Sequence, residues 1–286
     1  MNFDEQLQHL VVEALKEDIG DGDHSTLSSI ATTEKGKAVL KIKQDGILAG
    51  IDVARKIFLF KEPNAVFIPF KNDGDEMCYG ENAFEVEALA HTILQCERLV
   101  LNCMQRMSGI ATLTKQYTGK LIGYKTKLLD TRKTTPNFRL LEKEAVRIGG
   151  GVNHRFGLYD MIMLKDNHID YCGGIEIAID KAWRYVQEKK LKLKIEVETR
   201  SMADVEKVLA VGKNKVARVM LDNFNPDDVA RAVSFIGGVF ETEASGGINL
   251  NNIEDYAKAG VDFVSVGALI HQAKSLDMSL KAVILK

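Results

Sequence analysis

The first apolar stripe in the chain runs through Phe3, Leu7, Leu10, Val11, Ala14 and Leu15. Steps of three and four residues put these side chains on one face of a helix. The pattern stops at Gly20, where Asp18, Asp21 and Asp23 crowd a glycine-rich turn. Three aspartates invite a calcium reading, but the alternating D-x-D-x-D-G loop is absent, and a turn at a helix end accounts for them better. Residues 37–48 open with the alternation Lys37-Ala38-Val39-Leu40-Lys41-Ile42-Lys43 of a half-exposed strand. Residues 51–60 read as a helix and 84–89 as a strand. A long helix follows over 91–107, through Ile93, Leu94, Leu99, Val100, Leu101 and Met104. Strands and helices mix here without a strict repeat.

From residue 110 the character changes. Short apolar runs occur at 127–130, 161–164, 193–197, 218–221, 238–242 and 262–266, and helix-like segments follow near 138–148, 174–189, 202–211, 226–236 and 250–259. Such alternation means parallel strands joined by crossover helices. Just beyond the runs stand Arg132, Lys165, Glu198, Asp222, Ser245 and Gly267, each about one βα unit from the next. A polar residue at the end of every strand is how a βα barrel assembles a site at one rim, whereas an open doubly wound sheet gathers its ligands at one switch point. The pattern therefore predicts a barrel over 110–272, smaller than the usual eight-stranded one, with six strands visible. Residues 1–109 form a separate N-terminal α/β domain.

Composition narrows the classes. The 286 residues carry 38 Lys+Arg against 40 Asp+Glu, a net charge of −2, which excludes a general nucleic-acid binder. No apolar run reaches membrane-spanning length, and the acidic N-terminus lacks the basic and apolar regions of a signal peptide. Cys78, Cys96, Cys103 and Cys172 form no CxxC pair, so free thiols in a reducing cytoplasm are expected.

The candidate chemistry lies at the strand ends. Ser245-Gly246-Gly247 and Ser265-Val266-Gly267-Ala268 close the last two βα units, where barrel enzymes often bind phosphate on backbone N–H groups. Either glycine site alone reads as a turn; the two together point to phosphate. Within residues 130–168, Arg132, Lys133, His154, Arg155 and Lys165 are read on loops at one rim, grouped around glycines at strand ends. Any one of them alone reads as a solvated charge, but grouped at one rim they suit a polyanion, with arginine fitted to bidentate carboxylate contacts. Glu198 and Asp222, on the next two strand ends, suit Mg²⁺, ribose hydroxyls or a developing positive charge. Glu196 shares a strand face with Glu198 and competes with it for that role. The residues thus describe a sugar phosphate and a small polycarboxylate, with magnesium.

Asp130-Thr131-Arg132-Lys133-Thr134-Thr135-Pro136, the block from Gly149 through His154-Arg155-Phe156-Gly157-Leu158-Tyr159-Asp160, and Leu164-Lys165-Asp166-Asn167-His168-Ile169 resemble quinolinate phosphoribosyltransferase, or nicotinate-nucleotide pyrophosphorylase (carboxylating). The resemblance extends to Glu17-Asp18-Ile19-Gly20, Glu97-Arg98, Ser108-Gly109-Ile110-Ala111-Thr112, Leu221-Asp222-Asn223-Phe224 and Ser265-Val266-Gly267-Ala268, and so covers the whole chain. It implies an N-terminal open α/β sandwich over 1–109, completed by 273–286, and an incomplete seven-stranded α/β barrel over 110–272. The implied reaction joins quinolinate and phosphoribosyl pyrophosphate, with Mg²⁺, into nicotinate mononucleotide, pyrophosphate and CO₂, in NAD biosynthesis.

Carried over by position, Arg132, His154, Arg155 and Lys165 would hold the quinolinate carboxylates, with Arg98 reaching in from the neighbouring subunit of a homodimer. Relatives can build hexamers from such dimers. Lys133 would contact the pyrophosphate, and Glu198 and Asp222 the ribose and magnesium. Ser245, Gly246, Gly247, Gly267, Ala268 and His271 would surround the 5′-phosphate. Asn137 replaces a usual glycine, Val152 stands where many members are basic, and Ile270 replaces a common threonine. Two other readings compete: a barrel aldolase or lyase with Lys165 as Schiff-base nucleophile, and a non-catalytic homologue associated with molybdate transport.

Overall fold

A computed structural model describes residues 2–283; Met1 and residues 284–286, the last of the expected sandwich-completing tail, lie outside the described residues. In chain order the elements are α1 (Phe3–Ile19), α2 (His24–Ser29), β1 (Lys35–Ile42), β2 (Gly46–Ile47), α3 (Ile51–Lys61), β3 (Val66–Pro69), β4 (Glu76–Met77), β5 (Asn82–Leu89) and α4 (Ala90–Lys120). Then come β6 (Lys127–Leu129), α5 (Arg139–Ile148), β7 (Ile162–Leu164), α6 (Asp166–Cys172), α7 (Ile175–Glu188), β8 (Ile195–Thr199), α8 (Met202–Gly212) and β9 (Arg218–Asp222). The chain closes with α9 (Pro226–Ile236), β10 (Glu241–Ser245), α10 (Ile253–Lys258), β11 (Phe263–Ser265), α11 (Ala268–His271) and β12 (Met278–Ala282).

These elements form two compact units, one of residues 1–115, 134–150 and 269–286, the other of 116–133 and 151–268. Residues 110–115, 134–150 and 269–272, which the sequence groups with the barrel, thus pack in the first unit.

In the first unit, α1 starts on a capping box in which Asn2 Oδ1 accepts the Glu5 N–H and Glu5 Oε2 accepts the Asn2 N–H, both at 2.9 Å. It buries Leu7, Val11 and Leu15 and ends at Gly20 with φ +56°. The aspartate-rich turn is structural, because the Asp23 carboxylate accepts the Thr26 N–H and caps α2. An antiparallel sheet of order β12-β1-β5-β3 follows, with β12 paired along β1 from Ala38↔Ala282 to Ile42↔Met278. Phe58, Phe67 and Phe84 pack under it, with ring centroids 4.5–6.3 Å apart.

The second unit is a parallel sheet of order β6-β11-β10-β9-β8-β7. Beside β6, on the side away from β11, Val152 makes an isolated parallel bridge to Leu129. Its N–H donates to Leu128 O at 2.8 Å and its carbonyl accepts the Asp130 N–H at 3.2 Å. In chain order the positions run β6, Val152, β7, β8, β9, β10, β11, which makes seven, as an incomplete barrel requires. No pairing joins Val152 to β7 among the described residues, so the sheet stays open there. Two details differ from the sequence pattern. Gly237 and Gly238, at φ +57° and +78°, turn the chain out of α9, and the strand expected from 238 begins at Glu241. Asp166, Asn167 and His168 form the first turn of α6, a helix absent from the sequence pattern, immediately after Lys165.

Candidate active site

Parallel strands deliver their final residues to a common rim. Asp130, after β6, is fully buried. Its carboxylate accepts the His154 N–H at 2.8 Å and Asn153 Nδ2 at 2.7 Å, which fastens the Val152 stub and the start of the cationic loop beside β6. Arg132 and Lys133 are exposed on the loop after β6, where the Lys133 N–H donates to Thr131 Oγ1 at 3.1 Å. Arg155 is half-buried and donates from Nη1 to Met161 O at 3.1 Å. Burial, and after it the positive charge of Arg132, holds the Arg155 guanidinium below the usual arginine range. Arg132 and Arg155 are therefore close enough for their charges to repel, and two such guanidiniums together suit an anion.

The next four strands converge on a second cluster. Lys165 follows β7, and its Nζ donates to Glu198 Oε2 at 3.1 Å; Glu198, in β8, is 7% exposed. Burial and then the charge of Glu198 raise the carboxyl of Asp222, at the end of β9, against a hydroxyl bond from Ser245, the charge of Lys165 and the amide of Asn223. Ser245 ends β10. Asn223, at φ +58°, donates from Nδ2 to Asp222 Oδ2 at 2.7 Å, and its own N–H donates to Ser245 O at 2.8 Å. Gly246 and Gly247 adopt φ +95° and +66°, and a β-carbon at Gly246 would collide with the Asn223 side chain. Gly267 and Ala268, half-exposed, follow β11.

Two neighbouring carboxylates, Glu198 and Asp222, form an all-oxygen donor set of the kind a hard divalent cation such as Mg²⁺ takes, and the charge of Glu198 helps raise Asp222. A second set, His154, Glu196 and Glu243, also comes within ligating range among the described residues. There the cation is already present, since Arg218 Nη1 donates to Glu243 at 2.9 Å.

Glu196 and Glu198 both face inward, and their neighbours separate them. Glu198 meets Lys165, whereas Glu196, 1% exposed, lies 3.1 Å from His154 Nε2. Nε2 is also 3.3 Å from Glu243, and Nδ1 accepts the Arg155 N–H at 2.6 Å. Burial alone would lower the His154 pKa, but the hydrogen bonds to Glu196 and Glu243 outweigh it and push it up to about 9. Glu196 is pushed up to about 7, by burial first and then by the charge of Glu243. Both ring nitrogens of His154 thus engage protein groups.

Arg98, on α4, and His271, at the end of α11, are exposed residues of the first unit. Among functional positions, Asn223, Glu243 and Arg218 drew no role from the sequence. Asn223 is part of the Leu221-Asp222-Asn223-Phe224 motif, but its left-handed backbone has no periodic signal. Glu243 and Arg218 lie within strands and meet only through the β9–β10 register, Glu243↔Met220 and Glu241↔Arg218.

Residues 23–108 match the family model for the quinolinate phosphoribosyl transferase N-terminal domain, and residues 110–281 that for its C-terminal domain. A curated relative from Nicotiana tabacum, quinolinate phosphoribosyltransferase [decarboxylating] 1b, is 43% identical over 96% of this chain and 82% of its own length. A probable nicotinate-nucleotide pyrophosphorylase [carboxylating] of Bacillus subtilis is 42% identical over 96% of this chain and 93% of its own. Among solved structures, NadC from Streptococcus pyogenes superposes with a TM-score of 0.90 at 39% identity, covering 98% of each chain. With both domain models matched in order and a rim that gathers the motif residues, the chain belongs to the quinolinate phosphoribosyltransferase family.

Proposed function

We propose that this protein transfers the phosphoribosyl group of phosphoribosyl pyrophosphate to quinolinate with loss of CO₂, giving nicotinate mononucleotide and pyrophosphate. The observation that supports the reading is the 3.1 Å pairing of Lys165 Nζ with Glu198 Oε2 beside Asp222, at the ends of three neighbouring parallel strands. The arginines and Lys165 bind the two quinolinate carboxylates and aim the ring nitrogen at the anomeric carbon. Lys133 takes the pyrophosphate side. Ser245, Gly246, Gly247, Gly267 and Ala268 offer a hydroxyl and backbone N–H groups to the 5′-phosphate.

As the nitrogen–carbon bond forms, the bond to pyrophosphate breaks, and the ribose passes through an oxocarbenium-like state that Glu198 and Asp222 stabilise. The product is a pyridinium. Its positive nitrogen accepts the electron pair left when the adjacent carboxylate departs as CO₂, and a proton takes that carboxylate's place. No organic cofactor is needed. Mg²⁺, held by Glu198 and Asp222, would supply charge neutralisation to the pyrophosphate leaving group.

The assignment further makes the protein a cytoplasmic homodimer in which Arg98, exposed on α4, serves the neighbouring subunit's site. The free cysteines fit a reducing compartment, and among the described residues no helix is long and apolar enough to cross a membrane. The Schiff-base reading draws no support from Lys165, whose Nζ lies 3.1 Å from Glu198 Oε2 in an ion pair. Incubation with quinolinate, phosphoribosyl pyrophosphate and Mg²⁺ should release pyrophosphate and CO₂ in equal amounts. Nicotinic acid in place of quinolinate should release neither, and equal turnover of the two acids would overturn the reading.

A further inference from the structure

Away from the rim, in the first unit, one buried ion pair holds two segments that lead directly from site residues. Arg106, in α4, donates from Nε and Nη2 to Glu142 Oε1 at 2.9 and 2.8 Å. The same guanidinium donates from Nη2 to Ile270 O at 2.8 Å and from Nη1 to Ala273 O at 2.7 Å. Glu142, in α5, has a fully buried side chain. Its Oε2 accepts the Thr135 N–H at 2.8 Å and its Oε1 accepts Thr135 Oγ1 at 3.0 Å. Thr135 is two residues beyond Lys133, and Ile270 is two residues beyond Ala268 and one before His271.

The surroundings reinforce both holds. Arg139 Nε donates to Thr134 Oγ1 at 3.0 Å, and the Leu276 N–H donates to Gln105 O at 3.0 Å. A β-carbon at Gly109, one turn along α4 from Gln105, would run into the Lys274 carbonyl, so the helix is shaped to let residues 270–276 lie against it. A buried carboxylate shared by a guanidinium and a backbone N–H is costly to rearrange, which fits it for fixing loop ends.

We propose that Arg106 and Glu142 are positioning residues that set, through one shared carboxylate, the loop bearing Arg132 and Lys133 and the segment bearing Gly267, Ala268 and His271. This deepens the proposed reaction and rests on it. The acid-binding loop is anchored through Glu142, the 5′-phosphate segment through Arg106, and the ion pair keeps the two anchors in register.

The geometry lets the two anchors be cut separately. Glu142→Gln keeps an oxygen for Arg106 but turns an NH₂ toward the Thr135 N–H, which frees the first anchor. Arg106→Lys keeps a charge for Glu142 but lacks the fork that reaches both carbonyls, which frees the second. Thr135→Val removes only the hydroxyl bond and serves as the milder variant, should either of the others fail to fold.

In the full-length enzyme, Glu142→Gln and Thr135→Val should raise KM chiefly for quinolinate, and Arg106→Lys chiefly for phosphoribosyl pyrophosphate. The rise should be about tenfold for the first-named variants of each anchor and smaller for Thr135→Val, with kcat changing less. Amide exchange, measured without substrates, should quicken at 134–136 in Glu142→Gln and at 270–274 in Arg106→Lys. Folded variants that lose only melting temperature, with both KM values and these exchange rates unchanged, would overturn the proposal. Should the parent enzyme not turn over quinolinate at all, the reaction reading fails, and the exchange pattern still decides whether the anchors exist.

Discussion

Lys165 Nζ lies 3.1 Å from Glu198 Oε2, so the cation assigned to the acid substrate and the carboxylate assigned to the ribose neutralise each other before either substrate is present. The pair is unequal, with side chains 46% and 7% exposed. In the proposed reaction, quinolinate would draw the exposed ammonium toward its carboxylates and release Glu198 toward the sugar. Lys165→Ala should therefore lower kcat/KM for quinolinate by about 100-fold, the scale of a lost charge-assisted contact in a catalytic site. An exposed lysine adds little to stability, so the melting temperature should move by no more than about 2 °C. Steady-state kinetics with calorimetry checks both, and unaltered kinetics would remove Lys165 from the site.

How far this arrangement was readable from the chain differs by element. The apolar runs that became β6 to β11 sit in a buried sheet, and burial leaves its mark as β-branched and aliphatic residues. In β8 all five residues are buried, although the alternation Ile195-Glu196-Val197-Glu198 looks half-exposed, because the inside of this sheet carries charge. The seventh strand could not be read. It is a single bridge at Val152, between three glycines and Asn153, and one residue has no period. The cations at 132, 133 and 165 were legible because they follow strand ends, and those at 154 and 155 because they follow the run Gly149-Gly150-Gly151. Arg106 drew no role from the sequence, and only the return of residues 270–273 and of α5 gives it partners.

Gly246→Ala tests the phosphate turn. The residue needs φ +95°, and a methyl group there would strike the Asn223 side chain that orients Asp222. The substitution should cost about 1–3 kcal/mol in chemical denaturation and raise KM for phosphoribosyl pyrophosphate. A variant as stable and as active as the parent would show that the turn is not held as described.

Asn137, the departure from a family glycine, has φ +61°, which explains both residues: the backbone there is left-handed, and asparagine tolerates it better than other side chains do. Asn137→Gly should leave stability within about 0.5 kcal/mol, whereas Asn137→Ala should lose roughly 1 kcal/mol. Urea titrations of the pair separate the two outcomes, and an alanine variant as stable as the parent would contradict the conformation.

The buried set of His154, Glu196, Glu243 and Arg218 makes stability depend on pH. His154 rises from an ordinary 6.5 to about 9, because hydrogen bonds to the two glutamates overcome burial. Glu196 rises from 4.5 to about 7, through burial and the neighbouring charge of Glu243. Both shifts mean that the folded protein holds a proton more tightly than the unfolded chain does. The histidine contribution is complete below pH 6.5 and lost as the pH climbs through 9; Glu196 adds to the decline from its own titration near 7. Glu243 is shifted the other way. Its burial is outweighed by the hydrogen bond and charge of His154 and by Arg218, so its contribution is lost only as the solution becomes acidic. Unfolding free energy should therefore fall by about 2 kcal/mol between pH 6.5 and 9. Glu243→Gln should be less stable at pH 7 by roughly 3 kcal/mol, since it leaves Arg218 short of a buried partner, and should show a shallower decline above pH 7. Urea unfolding at several pH values, with the His154 ring followed by NMR, checks the slope and its source together; stability that holds level to pH 9 would mean that the cluster does not keep the proton assigned to it.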